Sequence, residues 1–155
     1  MLLYRFCDSE LQVLLVHPGG PFFVKKDAGV WSIPKGEYEE GEDPLAVAKR
    51  EFQEETGNVI MSDNFIELAP VKTRNGKIIK VWAATAYFDQ PFISSNLFSM
   101  EWPPKSGRQQ EFYETDNAAY FTIDEAKGKI NPGQLPFLDE LLEKLSNTRY
   151  NQVAL

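Results

Sequence analysis

The stretch from Asp43 to Gly57 can settle into one kind of structure, a short helix with an apolar side and an acidic side. Leu45, Ala48, Phe52 and the methyl of Thr56 recur at spacings of three, four and four, a stripe to be buried against a sheet. Asp43 suits the N-cap, Pro44 the first helical position, where a missing N–H costs nothing, and Gly57 the C-terminal cap. Beside the stripe, Glu51, Glu54 and Glu55 fall on one face at 3.6 residues per turn. Like charges so placed repel by a few tenths of a kcal/mol per pair, and no lysine follows within the helix to relieve them. An acidic cluster that works against its own helix suits a hard divalent cation, because Mg²⁺ and Mn²⁺ prefer carboxylate oxygens and water.

In full the segment reads Gly36, five residues, Glu42, seven residues, then Arg50-Glu51-Phe52-Gln53-Glu54-Glu55-Thr56-Gly57. This resembles the Nudix box, G-x5-E-x7-R-E-U-x-E-E-x-G-U with U bulky and apolar, and all seven fixed letters are present. At average residue usage they match by accident roughly once in a few hundred million windows. The last U is a departure, since it falls on Asn58, with Val59 next.

The resemblance is close over residues 11–60 and extends, as an order of elements, over 2–146. It implies an α+β fold, an α/β/α sandwich with a mixed β-sheet between helices and the box as loop–helix–loop. It also implies an enzyme that uses Mg²⁺ or Mn²⁺ to hydrolyse a phosphoanhydride in a nucleoside diphosphate linked to another group. By motif position Glu54 and Glu55 would be metal ligands, Glu51 a ligand or the base for water, and the Gly36 carbonyl a further ligand. Arg50 would orient the glutamates and Glu42 would brace Arg50. Read alone, Arg50 is a surface ion pair worth ~0–1 kcal/mol. Family members take another acid from downstream, for which Glu114 and Glu111 are the candidates, each otherwise a solvated carboxylate.

Pro34-Lys35-Gly36 resembles the lead-in of Nudix enzymes acting on dinucleoside polyphosphates, capped RNA or diphosphoinositol phosphates. It makes a dinucleoside polyphosphate the favoured substrate over a (modified) nucleoside triphosphate, with a nucleotide sensor lacking turnover as the rival from another class. Lys35 would hold a phosphate as a point charge. Trp31 and Trp102 are the tryptophans taken as base contacts, alongside Phe23, Tyr87 and Tyr113, although most aromatics belong to cores. Lys25, Lys26, Arg74, Lys80, Lys105 and Arg108 are further cations for a phosphate track. The lone His17 reads as a strand-end histidine.

Sixteen Lys plus Arg against 23 Asp plus Glu give a net charge of −7, which argues against stable nucleic-acid or membrane-surface binding. The single cysteine, Cys7, allows no intrachain disulfide, and no apolar run approaches a membrane span, so a soluble cytoplasmic monomer or homodimer is expected. With 155 residues, 43% of them hydrophobic, the chain suits one domain over 1–146 and a frayed tail over 147–155.

Leu2–Phe6 and Leu11–His17 read as a hairpin, its first strand short because it begins one residue from Met1. Phe22–Val24, Phe65–Leu68 and Ala118–Phe121 read as strands. Val71–Arg74 and Lys77–Phe88 pair across a two-residue Asn75-Gly76 turn. Gln90–Gln110 reads as a long loop, of the kind that forms lids or binding segments. Thr122-Ile123-Asp124-Glu125 is a capping box, and Leu138, Leu141, Leu142 and Leu145 stripe a last helix.

Overall fold

The structure, a computed structural model, describes residues 1–36 and 39–153, the last five of these by backbone alone. Among the described residues, seven strands and three α-helices follow one another: β1 (Leu2–Cys7), β2 (Glu10–Pro18), α1 (Pro44–Thr56), β3 (Ile66–Lys72), β4 (Ile78–Thr85), β5 (Leu97–Glu101), β6 (Gln109–Tyr113), β7 (Thr115–Thr122), α2 (Ile123–Lys129) and α3 (Leu135–Val153). Five strands form one sheet in the order β3-β4-β1-β2-β7, with β1 and β4 parallel and the other neighbours antiparallel.

The sheet is covered on both faces, so its middle strands lose the polar alternation of a half-exposed strand. Val13, Leu14, Leu15 and Val16 are all at most 2% exposed. Leu2, Val13, Leu15, Val81 and Ala83 share a core with Phe137, Leu138 and Leu141 on the α2–α3 side. Their alternates Leu3, Leu14, Val16 and Ala84 pack with Ala48 and Phe52 on the α1 side. This is the α/β/α sandwich expected. The first strand is not short: β1 lies mid-sheet, with Leu2 and Leu3 fully buried between β2 and β4.

The acidic helix forms where its punctuation requires. The Asp43 carboxylate accepts from Leu45 N at 3.2 Å, and Gly57 takes the left-handed conformation at φ 78° while its N–H bonds to the Gln53 carbonyl. Replacing Asp43 with Ala removes this cap and should cost about 1 kcal/mol. Calorimetry should then find the midpoint about 2–4 °C lower. An unchanged midpoint would mean the cap bond contributes nothing. The apolar departure at Asn58 also resolves. Asn58 is buried, and its Nδ2 donates to the carbonyls of Gln90 at 3.1 Å and Pro91 at 2.9 Å, tying the following segment to the helix end, while Val59 faces outward.

Five readings are corrected. Residues 21–25 form a turn rather than a strand at Phe22–Val24. Phe65–Leu68 and Val71–Arg74 merge into β3, which bulges between Leu68 and Val71 and tolerates Pro70 because it is an edge strand. The β3–β4 connection is a three-residue loop: Thr73 N bonds to the Lys77 carbonyl, and Gly76 alone takes a positive φ, of 83°. The stretch 90–110 is not a loop, since β5 and β6 pair in register from Leu97↔Tyr113 to Glu101↔Gln109 as a separate two-stranded sheet. Helix α3 continues through 147–153, the segment read from sequence as a tail.

The loop before α1 is tied to the far layer. Trp31 N bonds to the Lys129 carbonyl, Asn131 N to the Trp31 carbonyl, and Ser32 exchanges two bonds with Val16, all within 2.8–3.1 Å. The buried Gln134 then accepts from Ile33 N at 2.8 Å. These bonds deliver Pro34-Lys35-Gly36 to the carboxylate face of α1.

Candidate active site

Gly36 backs directly onto Glu51. A Cβ built there would overlap the Glu51 carboxylate, so only a glycine lets the loop and this side chain sit together. One residue earlier, Lys35 N donates to Glu55 Oε1 at 3.4 Å. Arg50 reaches three acids, Glu42 at 3.2 Å, Glu51 at 3.5 Å and Glu54 at 3.9 Å, while Glu42 also accepts from Glu39 N at 2.7 Å.

Burial raises the Glu51 carboxyl above the usual range, Glu54 raises it further, and Arg50 pulls it back. Burial pushes Glu55 up to about 7, against the pull of Lys35 and the Met1 amino group. Glu55 is partly covered, with the Lys35 backbone of the 34–36 loop bonded to it. Among the described residues, no three His, Cys, Asp or Glu side chains converge to hold an ion. The three glutamates spread, Glu54 toward Arg50 and Glu55 toward Lys35, as like charges with separate cationic partners do. The donor set nevertheless suits a hard cation, being carboxylate oxygens around a loop backbone that a Cβ would exclude.

Of the downstream acids, Glu114 lies near enough for its charge to act on Glu51. It stands at the root of the β5–β6 sheet, where Glu114 N bonds to the Asn96 carbonyl and its own carbonyl accepts from Gly19 N. Glu111 lies within β6 opposite Ser99, exposed. Trp31 is corrected as a base contact: it is 5% exposed, its Nε1 donates to Asp27, and its ring abuts His17 and Phe121. Trp102 sits beyond β5, edge-on to Phe22. His17 is buried, paired through Nδ1 with Asp116 at 2.6 Å.

Two hollows flank the helix. One, of about 780 Å³, lies between Lys35–Gly36, the start of α1 and the β3–β4 hairpin, and its described lining holds Lys35, Lys77, Lys80 and Trp82 among others. The other, of about 360 Å³, joins Arg50, Gln53 and Glu54 to Ser94–Asn96. Sequence reasoning missed Trp82 and Ser94–Asn96, because one lies in a regular strand and the others in a polar stretch without periodicity.

The sequence profile described as NUDIX domain matches residues 2–141. An RNA pyrophosphohydrolase of Roseobacter denitrificans is 45% identical over 60 residues, which are 36% of this chain and 36% of that protein. The chain thus spans about a third of the length of the curated relative it matches. The NUDIX domain of Shewanella oneidensis NrtR, solved with ADP ribose, superposes with a TM-score of 0.62 at 18% identity, over 93% of this chain and 84% of that one. A C. elegans Ap4A hydrolase binary complex does so with a TM-score of 0.61 at 20% identity, over 94% and 96%. At these identities the likeness is one of fold. No helix among the described residues is long and apolar enough to cross a membrane.

Proposed function

The chain belongs to the NUDIX domain family, and from that premise we propose that it is a Mg²⁺- or Mn²⁺-dependent hydrolase of a dinucleoside polyphosphate. The observation that carries the reading is the seating of Gly36 against Glu51 with Lys35 above Glu55, which brings loop backbone, carboxylates and a cation to one spot.

Glu51, Glu54, Glu55 and the Gly36 carbonyl would hold the cation, with Glu114 the downstream acid. When bound, such an ion neutralises phosphoryl oxygens and lowers the pKa of water. The protein's own residues do the rest. Arg50 holds Glu51 and Glu54 apart and oriented, and Glu42 keeps Arg50 in place. Glu51, with Glu54 beside it and Arg50 orienting it, takes the proton of the attacking water. A P–O bond forms to that water as the anhydride P–O bond breaks, and the leaving phosphate departs with the electron pair. Lys35 holds a phosphate beyond the scissile bond. The hollow of about 780 Å³, with Lys35, Lys77 and Lys80 in its lining, has the size of a nucleotide site. A lone cysteine and a substrate of this class fit a reducing cytoplasm.

The test is product release from a nucleotide panel with Mg²⁺ and after chelation. Dinucleoside tetraphosphates should be cleaved and triphosphates spared, and chelation should abolish turnover. Cleavage of triphosphates alone would replace the substrate assignment, and tight binding without turnover in Mg²⁺ would replace the enzyme with a sensor.

A further inference from the structure

The β5–β6 sheet leaves the main sheet at the acidic site and carries an aromatic, basic tip away from it. At its root Asn96 N bonds to the Glu54 carbonyl at 3.1 Å. Six residues later, roughly 20 Å along an extended strand, Trp102 meets Phe22 with ring centroids 5.4 Å apart at 84°. Phe22 is 54% exposed and Trp102 half-buried against it. Lys105 and Arg108 flank Trp102 in the tip, and Lys25 and Lys26 follow Phe22 in its turn, all exposed. The two acids among these segments are engaged, Glu101 by Gly107 N and Asp27 by Lys129. A chain of net charge −7 thus sets four exposed cations in the two segments that carry these rings, one of them, Lys26, over the neighbouring Phe23 ring at 5.3 Å.

The turn that presents them is held from beneath. His17 Nε2 donates to the Lys26 carbonyl at 2.7 Å, and Asp27 accepts from both Trp31 Nε1 at 2.8 Å and Lys129 Nζ at 2.6 Å. Gly19 and Gly20 seat it on the hairpin: a Cβ on Gly19 would overlap the Tyr113 carbonyl, and one on Gly20 would lie 3.0 Å from the Phe98 ring. A turn so fixed, with apolar rings directed outward, is a preorganised contact surface.

We propose that Phe22 and Trp102, with Lys25, Lys26, Lys105 and Arg108, bind the far nucleoside of the dinucleoside polyphosphate and the phosphates leading to it. This rests on the substrate class proposed above. A base adjoining the scissile bond would not reach this tip, whereas one separated from it by further phosphates and a ribose would. The arm then measures substrate length and favours two-ended polyphosphates.

The experiment compares wild type, Trp102→Ala and Lys105→Ala/Arg108→Ala, all exposed or partly exposed changes. It reads the KM for a dinucleoside tetraphosphate, the Ki of a nucleoside triphosphate as a competitor of that turnover, and the Kd of a non-hydrolysable dinucleoside tetraphosphate and of a 5′-triphosphorylated oligoribonucleotide. Each variant should raise the KM of the two-ended ligand about tenfold more than the Ki of the triphosphate, with a matching rise in the Kd of the non-hydrolysable analogue. Equal effects on both ligands, or none, overturn the arm. So would loss of affinity only for a 5′-triphosphorylated oligoribonucleotide, which would make the tip a nucleic-acid track. If wild type cleaves no dinucleoside polyphosphate in Mg²⁺, the substrate reading itself fails, a result separate from these.

Discussion

Replacing Glu55 with Gln should lower turnover in Mg²⁺ by about a hundredfold or more and, at the same time, raise the melting temperature of the metal-free protein at pH 8. The first effect follows from removing a proposed metal ligand, since losing a mere outer-shell partner of a metal already costs about 10–100-fold. The second follows from linkage. Burial lifts the Glu55 carboxyl to about 7, so the folded state holds this proton more tightly than the unfolded chain does. Its contribution to stability is complete below the unfolded value and is lost as pH rises through 7, leaving a half-buried charge above that. Gln keeps the volume and can still accept from Lys35 N. Discounted for solvent, the relief is on the order of 1–2 kcal/mol, or about 2–4 °C per kcal/mol. Melting curves at pH 5 and pH 8 check it: the advantage should be present at pH 8 and absent at pH 5. A variant that melts lower at pH 8, or turns over normally, would overturn the assignment of Glu55.

Replacing Gly36 with Ala should also separate activity from folding. Gly36 has no positive φ, so alanine meets no backbone penalty there. What its Cβ meets is the carboxyl end of Glu51, a flexible group that can swing aside. The melting temperature should therefore stay within about 2 °C. The displaced carboxylate no longer lies against the loop, and turnover and Mg²⁺ affinity should fall about 10–100-fold. Isothermal titration with Mg²⁺ together with kcat/KM reads both. Unaltered kinetics would detach Glu51 from the chemistry, and global unfolding would refute the local reading.

The helix at the heart of the site was legible because its signals are local. Asp43, Pro44 and Gly57 mark its ends and the stripe through Phe52 names its buried side. Which acids stay wet was not legible. That Glu55 lies under Lys35 depends on a loop suspended from Gln134, about a hundred residues away in the chain. Trp31 misled for the same reason, since its indole is enclosed by elements that only the fold assembles. The β5–β6 sheet escaped notice because its strands are five residues long and its outward side mixes Leu97 and Tyr113 with polar residues. Asn58 breaks an apolar rule in sequence and satisfies two carbonyls in space, which no periodicity could report.

The bond from Ile33 to Gln134 has a mechanical meaning. The reactive side of the molecule takes its alignment from helices on the opposite side of the sheet, much as a gate hangs from a post it does not face. Repacking around α2 and α3 is therefore not insulated from the chemistry. A shift of that layer would be relayed through Trp31 and Ile33 to the glycine against Glu51, so that residues far from the carboxylates tune them by setting where the backbone stands.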